Sequence, residues 1–347
     1  MAFDTRAALA REAVIKLGDG GLEPQELLFE AAERIRRVVP YDLGGWMTMD
    51  PDTLLPTGNI RSGKTPELTR AFWRNELFTP DVHKFTELVR RRSPVAVMST
   101  VDVATAEESP RRQLIHRPAG LGDEARVVLR ANGSMAGAAC LHRDSASRDF
   151  DADERRFLAD VAADVGRGLQ ASLSRRPATA PLLGAPGVLT MDRELRVVSA
   201  TAEAEQLTGL LPGDAWATLF GVAARVYDKD RAARARVRLV DGRWLLLHAS
   251  RLHGAPDSPA RVAIVLDRAP RADLTSLLLR LHGLSARERE VAELLMLGPR
   301  TDEIAARLHI SRHTLRDHVK AIFAKVGAKS RSELTALVGG GSAPDLV

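Results

Sequence analysis

The sequence predicts two α+β units followed by an all-α unit of four short helices. Three observations lead there. Strand-like runs meet at Asn132-Gly133 and again at Asp241-Gly242, and these dipeptides supply the positive φ angles of tight hairpin turns. Helical periodicities accompany both sets of strands. After residue 284 the strand signal gives way to amphipathic segments opened by capping residues.

The bulk composition fits this plan. At 347 residues the chain has room for two or three domains. It is 45% hydrophobic and 27% charged, ordinary for a globular protein. Cys140 is the sole cysteine, which excludes an intrachain disulfide and fits a reducing compartment. No apolar run approaches the roughly 18 residues that span a bilayer, and the mixed-charge N-terminus lacks a signal-peptide core. A soluble, cytoplasmic protein without a membrane partner is expected. The net charge of +5 is unevenly placed: residues 311–331 hold six lysines and arginines and one acid, Asp317. Such a local excess suits a polyanionic partner.

The first α+β unit is expected over residues 1–173. Leu27, Leu28, Ala31, Ile35 and Val38 recur at helical spacing and stop before Pro40. "GGWMTM" (44–49) alternates like a strand, and residues 126–142 form two strand-like runs around Asn132-Gly133. Asp151 can cap a helix that buries Phe157, Leu158, Val161 and Val165. The polar, proline-bearing residues 174–184 read as a linker. The second unit, 185–269, reads as strand "GVLTM", a turn at Asp192–Glu194, strand "LRVVS", a short helix around Ala202–Leu207, a hairpin at Asp241-Gly242, and a buried strand "RVAIVLD". No internal repeat is evident. Residues 270–283 read as a leucine-rich linker helix, 284–340 as the four-helix unit, and 341–347 as a flexible tail.

In the four-helix unit, Ser285 and Glu288 form a capping box, with Val291, Leu294 and Leu295 behind it. Gly298 and Pro299 end that helix, and a second begins at Thr301 with Asp302 and Glu303 in its first turn. Ser311 caps the third. Ser330 and Glu333 suggest another capping box before the fourth. Two short helices joined by a tight turn, the second basic, make a helix-turn-helix. At 100° per residue, Leu315, Val319, Ile322, Phe323 and Val326 fall within an arc of about 100°. His313, Arg316, Asp317, Lys320 and Ala324 fall opposite. The apolar stripe would hold the helix to its neighbours while the other face enters a major groove of double-stranded DNA. Arg316 and Lys320 are then candidates to donate to base edges. Asp317 can accept from cytosine or orient Arg316 or Lys320 through a salt bridge, and orientation is favoured. Arg312, His313, Thr314, Lys325, Lys329 and Arg331 are candidates for contacts to the DNA backbone.

These residues, "LSARERE…EIAARLHISRHTLRDHVKAIFAKVGAKSR", resemble the DNA-binding domain of LuxR-type transcription regulators. The resemblance implies that the third helix reads the major groove, with base contacts on Arg316, Asp317 and Lys320. It also implies that the fourth forms a homodimer contact around Leu334, Leu337 and Val338. Upstream, the first unit resembles a GAF domain and the second a PAS-like sensor domain. Such domains often bind small molecules or mediate dimers, so an effector of unknown identity is a possible partner. Neither the acids of a phosphoacceptor receiver nor an acyl-homoserine-lactone sensor pattern is evident. The expected function is sequence-specific transcription regulation, without catalysis or a cofactor.

Other motifs compete with this reading. "GNIRSGKT" (58–65) matches the phosphate-cradling pattern G-x-x-x-x-G-K-T, which would make the chain an ATP-switched regulator. Pro56 and Pro66 interrupt the strand and helix that the motif needs, so a surface loop with turns at Gly58 and Gly63 is expected. A helix-turn-helix docking on RNA polymerase instead of DNA is the third reading. His309, His313 and His318 lack convergent partners for a metal. Cys140 beside His142 is expected to be a small core residue, and Trp46, Trp73, Trp216 and Trp244 are expected in cores.

Overall fold

The computed structural model describes residues 3–62, 66–175, 184–229, 231–253 and 260–338. Two five-stranded antiparallel sheets are followed by a helical unit. The first part contains helices α1 (Phe3–Asp19) and α2 (Pro24–Arg36), strands β1 (Leu43–Met49) and β2 (Pro56–Ser62), helices α3 (Pro66–Phe78) and α4 (Phe85–Leu88), and strand β3 (Val95–Val97). It continues with helix α5 (Val103–Glu108), a π-helical turn (Arg112–His116), strands β4 (Leu121–Ala131) and β5 (Ser134–Asp144), and helix α6 (Ala152–Ser174). The sheet order is β2-β1-β5-β4-β3. The expected hairpin forms, with Asn132 and Gly133 at φ 51° and 75°. Asp151 and Glu154 close a capping box on α6. Its inner face and that of α2 cover one side of the sheet, and α1 packs against both helices.

The second part contains β6 (Gly187–Met191), β7 (Val197–Ala200), α7 (Ala202–Gly209), α8 (Ala215–Lys229), β8 (Ala233–Arg238), β9 (Trp244–Leu252) and β10 (Arg261–Arg268). Its order is β7-β6-β10-β9-β8. The strand expected to close the unit therefore lies at its centre. Both sheets follow the same sequential pattern, second-first-fifth-fourth-third. The chain thus repeats a topology without a visible sequence repeat.

The phosphate-loop motif and its surface-loop alternative are both corrected over residues 58–62. These residues are strand, with Gly58 paired to Thr48 and Asn59 to Met47 on β1. A Cβ on Gly58 would lie 2.6 Å from Gln25 Nε2 and 2.8 Å from Pro212 Cγ, so glycine serves a close approach there, not a turn. Gly63, Lys64 and Thr65 lie outside the described residues. The same strand joins the two parts: Asn59 Nδ2 donates to the Asp214 carbonyl at 3.2 Å, and Arg61 pairs with Asp214 at 3.1 Å.

Helix α9 (Arg271–Leu281) leads to α10 (Ala286–Leu297), α11 (Thr301–Arg307), α12 (Arg312–Val326) and α13 (Arg331–Val338). Leu274, Leu277, Leu278, Leu279 and Leu281 of α9 are buried, and the helix packs on α6, β5, α10 and α13. The expected linker helix is therefore part of the core between the sheets and the helical unit. Gly283 follows at φ 73°, and a Cβ there would lie 2.5 Å from Asn132 Cβ. The β4–β5 hairpin tip thus abuts the entrance to the helical unit.

Candidate nucleic-acid interface

Local chemistry places each helix of the C-terminal unit. Ser285 Oγ accepts from the Glu288 amide at 3.2 Å, and Glu288 Oε2 accepts from the Ser285 amide at 2.6 Å. These two bonds satisfy otherwise unmet donors at the start of α10. Gly298, at φ 97°, ends α10 in the left-handed region. Glu303 returns to the Arg300 amide at 3.1 Å to open α11. A three-residue turn follows, and Ser311 Oγ accepts from the Thr314 amide at 3.0 Å to start α12. The box expected at Ser330 is split: Ser330 Oγ accepts from the Glu333 amide, but Glu333 accepts from Lys329.

Helix α12 has the two faces its spacing predicts. Leu315 and Ile322 are fully buried and Val326 nearly so, while Val319 and Phe323 pack partly buried against the same core. Burying these side chains supplies the force that fixes the helix on α10 and α11, at about 1.5–3 kcal/mol for each fully covered residue. Arg312, His313, Thr314, Arg316, Asp317, Lys320 and Ala324 are exposed. Among the described residues, Arg316 and Lys320 have no acid within salt-bridge distance. Their cations stand open on the outward face, ready for an anionic surface.

Several sequence assignments change. Asp317 pairs with neither Arg316 nor Lys320; its Oδ2 lies 3.7 Å from His313 Nε2, one turn back on the same exposed face. The i,i+4 spacing permits this contact, because such residues are neighbours on a helix surface. Lys325 donates to both Glu288 oxygens, at 2.9 and 2.7 Å, so it braces α12 against α10. Burial alone would raise the Glu288 pKa, but hydrogen bonds from Lys325 and Ser285 outweigh it and hold the carboxyl below its ordinary range. Arg331 donates to the carbonyls of Gly298 and Pro299, at 3.1 and 2.9 Å, satisfying acceptors at the end of α10. Arg312 pairs with Asp302 at 2.8 Å on the surface, and Lys329 is exposed. The dimer residues need the clearest correction. Leu334 and Val338 are 0% exposed, and Leu337 packs partly buried against the same core. All three serve the unit's own interior.

The other sequence candidates resolve simply. His309 and His313 are exposed and His318 is half-buried. Cys140 is buried, and burial pushes its thiol up, which disfavours the thiolate a nucleophile needs. Trp46, Trp73 and Trp244 are buried, whereas Trp216 is half-buried against Phe220 at 4.4 Å.

One cluster escaped sequence reasoning. His116, Glu124 and His142 offer ligand atoms that all lie within 4.8 Å of one another, and all three side chains are buried. Burial pushes His142 down to about 3 and His116 below its ordinary value. Burial would raise Glu124, but Arg111 and Arg126 hold it well below the usual carboxylate range.

Comparison with known proteins bears on the helical unit. Residues 282–338 match the family described as bacterial regulatory proteins, luxR family. The spore germination protein GerE of Bacillus subtilis is 48% identical over 50 residues, covering 14% of this chain and 68% of GerE. A putative HTH-type transcriptional regulator of Aeromonas salmonicida is 47% identical over 51 residues, 15% of this chain and 26% of that protein. Among solved structures, Vibrio cholerae VqmA matches at 19% identity and TM-score 0.23, over 46% of this chain and 86% of its own. Escherichia coli SdiA matches at 14% and 0.32, over 96% and 98%. TM-scores this low carry no argument about the two sheets. Through its helical unit, the chain belongs to the luxR family of bacterial regulatory proteins, DNA-binding transcription regulators rather than enzymes.

Proposed function

We propose that this regulator is a cytoplasmic homodimer that inserts α12 into the major groove of paired half-sites, under the control of GAF-like and PAS-like domains in the preceding residues. The exposed, unpaired Arg316 and Lys320 on the face opposite a buried apolar stripe carry the proposal. Arg316, Asp317 and Lys320 are the base-contacting set. Arg312, His313, Thr314 and Lys329 flank them toward the phosphates. Two half-sites about one helical turn apart would match the dimer's symmetry. Since Leu334 and Val338 are inside the unit, the dimer contact is assigned elsewhere, to the first two helices, where Leu9 and Phe29 are 54% and 56% exposed. No helix among the described residues is long and apolar enough to cross a membrane.

The sensory assignment rests on the repeated sheet topology and on a cavity of about 90 Å³ beside β1 and α3. Ile60, Leu68, Phe72, Ile115 and Leu121 give it apolar walls, and its volume, well below that of most ligand pockets, restricts an effector to a very small organic molecule. Mass spectrometry of protein isolated without denaturation tests for such a molecule.

Selection from random duplexes followed by mobility shifts tests the DNA reading. Wild type should enrich a two-fold symmetric site. Arg316→Ala should lose about 1–3 kcal/mol of discrimination at one base position per half-site. Equal base preference in the two proteins removes Arg316 from the base-reading set. Absence of any shift, with polymerase retained on a column of the protein, favours docking on polymerase instead.

A further inference from the structure

We propose that His116, Glu124 and His142 bind a divalent transition-metal ion, of the zinc, cobalt(II) or iron(II) class, through two imidazoles and one carboxylate. Three elements bring these side chains together. His116 ends the π-helical turn, a distortion that recurs at functional sites. Glu124 and His142 are direct cross-strand partners on β4 and β5. His116 Nε2 lies 3.9 Å from Glu124 Oε1. With bonds of about 2.0–2.2 Å, two ligands on one ion stand about 3–4 Å apart. That pair therefore already has coordinating separation. The widest separation permitted by the 4.8 Å limit needs a closure of roughly 1 Å, within reach of side-chain rotation.

The surroundings suit ligands more than ordinary core residues. His116 is 0%, Glu124 1% and His142 8% exposed. Among the described residues, neither nitrogen of His116 nor Nδ1 of His142 has a hydrogen-bond partner. Buried polar atoms are normally paired, and coordination would satisfy a nitrogen on each ring. Arg111 Nε donates to Glu124 Oε2 at 2.8 Å and Arg126 Nε to Oε1 at 3.1 Å, fixing the carboxylate as outer hydrogen bonds fix metal ligands. The guanidiniums also meet Asp81 and Glu76. Three carboxylates, Glu76, Asp81 and Glu124, thus face the two guanidiniums in direct ion pairs. His116, His142 and Cys140 all border the apolar cavity. Two histidines and one carboxylate leave coordination positions open, as in sites that bind a further small ligand.

The test uses the untagged full chain, stripped with chelator and titrated with cobalt(II). Ligand-field absorption and metal content after gel filtration are the readouts. One equivalent should bind, and His116→Gln and His142→Gln should each weaken binding at least about tenfold while retaining wild-type circular dichroism and DNA shift. No saturable cobalt binding overturns the proposal, as does binding equal to wild type in both variants. Should the variants fail to fold, pulsed electron paramagnetic resonance of the copper(II)-loaded wild type decides. Coupling to two imidazole nitrogens supports the site, and coupling to fewer overturns it. The outcome is independent of the DNA-binding reading, which the mobility shift reports separately.

Discussion

Lys325 and Lys320 lie five residues apart on one helix and illustrate how a neighbour determines a cation's role. Lys320 is exposed and without an acidic partner among the described residues. Lys325 grips the largely buried Glu288, which also opens α10. Removing a cation from a buried carboxylate strands that carboxylate, and the loss is reduced because the Lys325 side chain is 40% exposed. Lys325→Ala is expected to destabilise the helical unit by about 1–2 kcal/mol, seen as a lower urea midpoint. Lys320→Ala should leave that midpoint within about 0.5 kcal/mol and cost about 1–3 kcal/mol of base discrimination at the position it reads. Interchanged results would reverse the two roles. The Glu288 pKa is depressed, so its contribution is present above the ordinary carboxyl value of about 4.3 and fades as pH falls through the lower folded value. Lys325→Ala should therefore narrow its gap from wild type in acid.

At the scale of elements, α12 is held by its cap and by its stripe, and the two are separable. Ser311→Ala removes the acceptor for the Thr314 amide and should cost about 1 kcal/mol. Leu315→Ala opens a cavity at a fully buried site and should cost about 2–5 kcal/mol; equal small losses would mean that the stripe is not seated. Both features were legible because they depend on residues within a few positions of one another. Other elements were not. Helix α8 buries Ala217, Leu219, Phe220, Val222, Ala223, Ala224 and Val226, and residues 217–224 are buried without a break, so its first half presents a continuous apolar run that periodicity alone does not assign. Strand β2 contains Pro56, Gly58 and Asn59, poor strand formers, and owes its shape to pairing with β1 and to packing on the Pro212–Asp214 turn. In α13 the stripe was legible but its partner was not: Leu334 and Val338 meet their own unit. His116, Glu124 and His142 converge only through strand register and the π-helical turn, which no local pattern encodes.

At the scale of the molecule, two neighbouring carboxylates join three parts. Asp50, at the end of β1, is 2% exposed and meets Arg236 of β8 at 2.8 Å. The neighbouring Asp52 also pairs with Arg236, and with Arg280 of α9 at 2.9 Å. Arg234 reaches Asp273 of α9 at 3.2 Å. The two sheets and the helix leading to the DNA-binding unit thus share one ionic joint. A partner left alone in such a joint is worse than no joint at all. Asp50→Asn should cost about 3–5 kcal/mol, and Asp50→Asn combined with Arg236→Met should recover most of that loss. The pH response has a definite sign. Burial would raise the Asp50 pKa, but Arg236 outweighs it and lowers the value. The stabilisation is therefore complete above the ordinary aspartate value of about 4 and is lost as pH falls through the lower folded value. Urea midpoints of wild type and Asp50→Asn, measured between pH 6 and pH 2, should converge toward the acid end. Curves that stay parallel throughout would show that the Asp50 charge does not hold the joint. A double variant no more stable than Asp50→Asn would place the loss in packing instead.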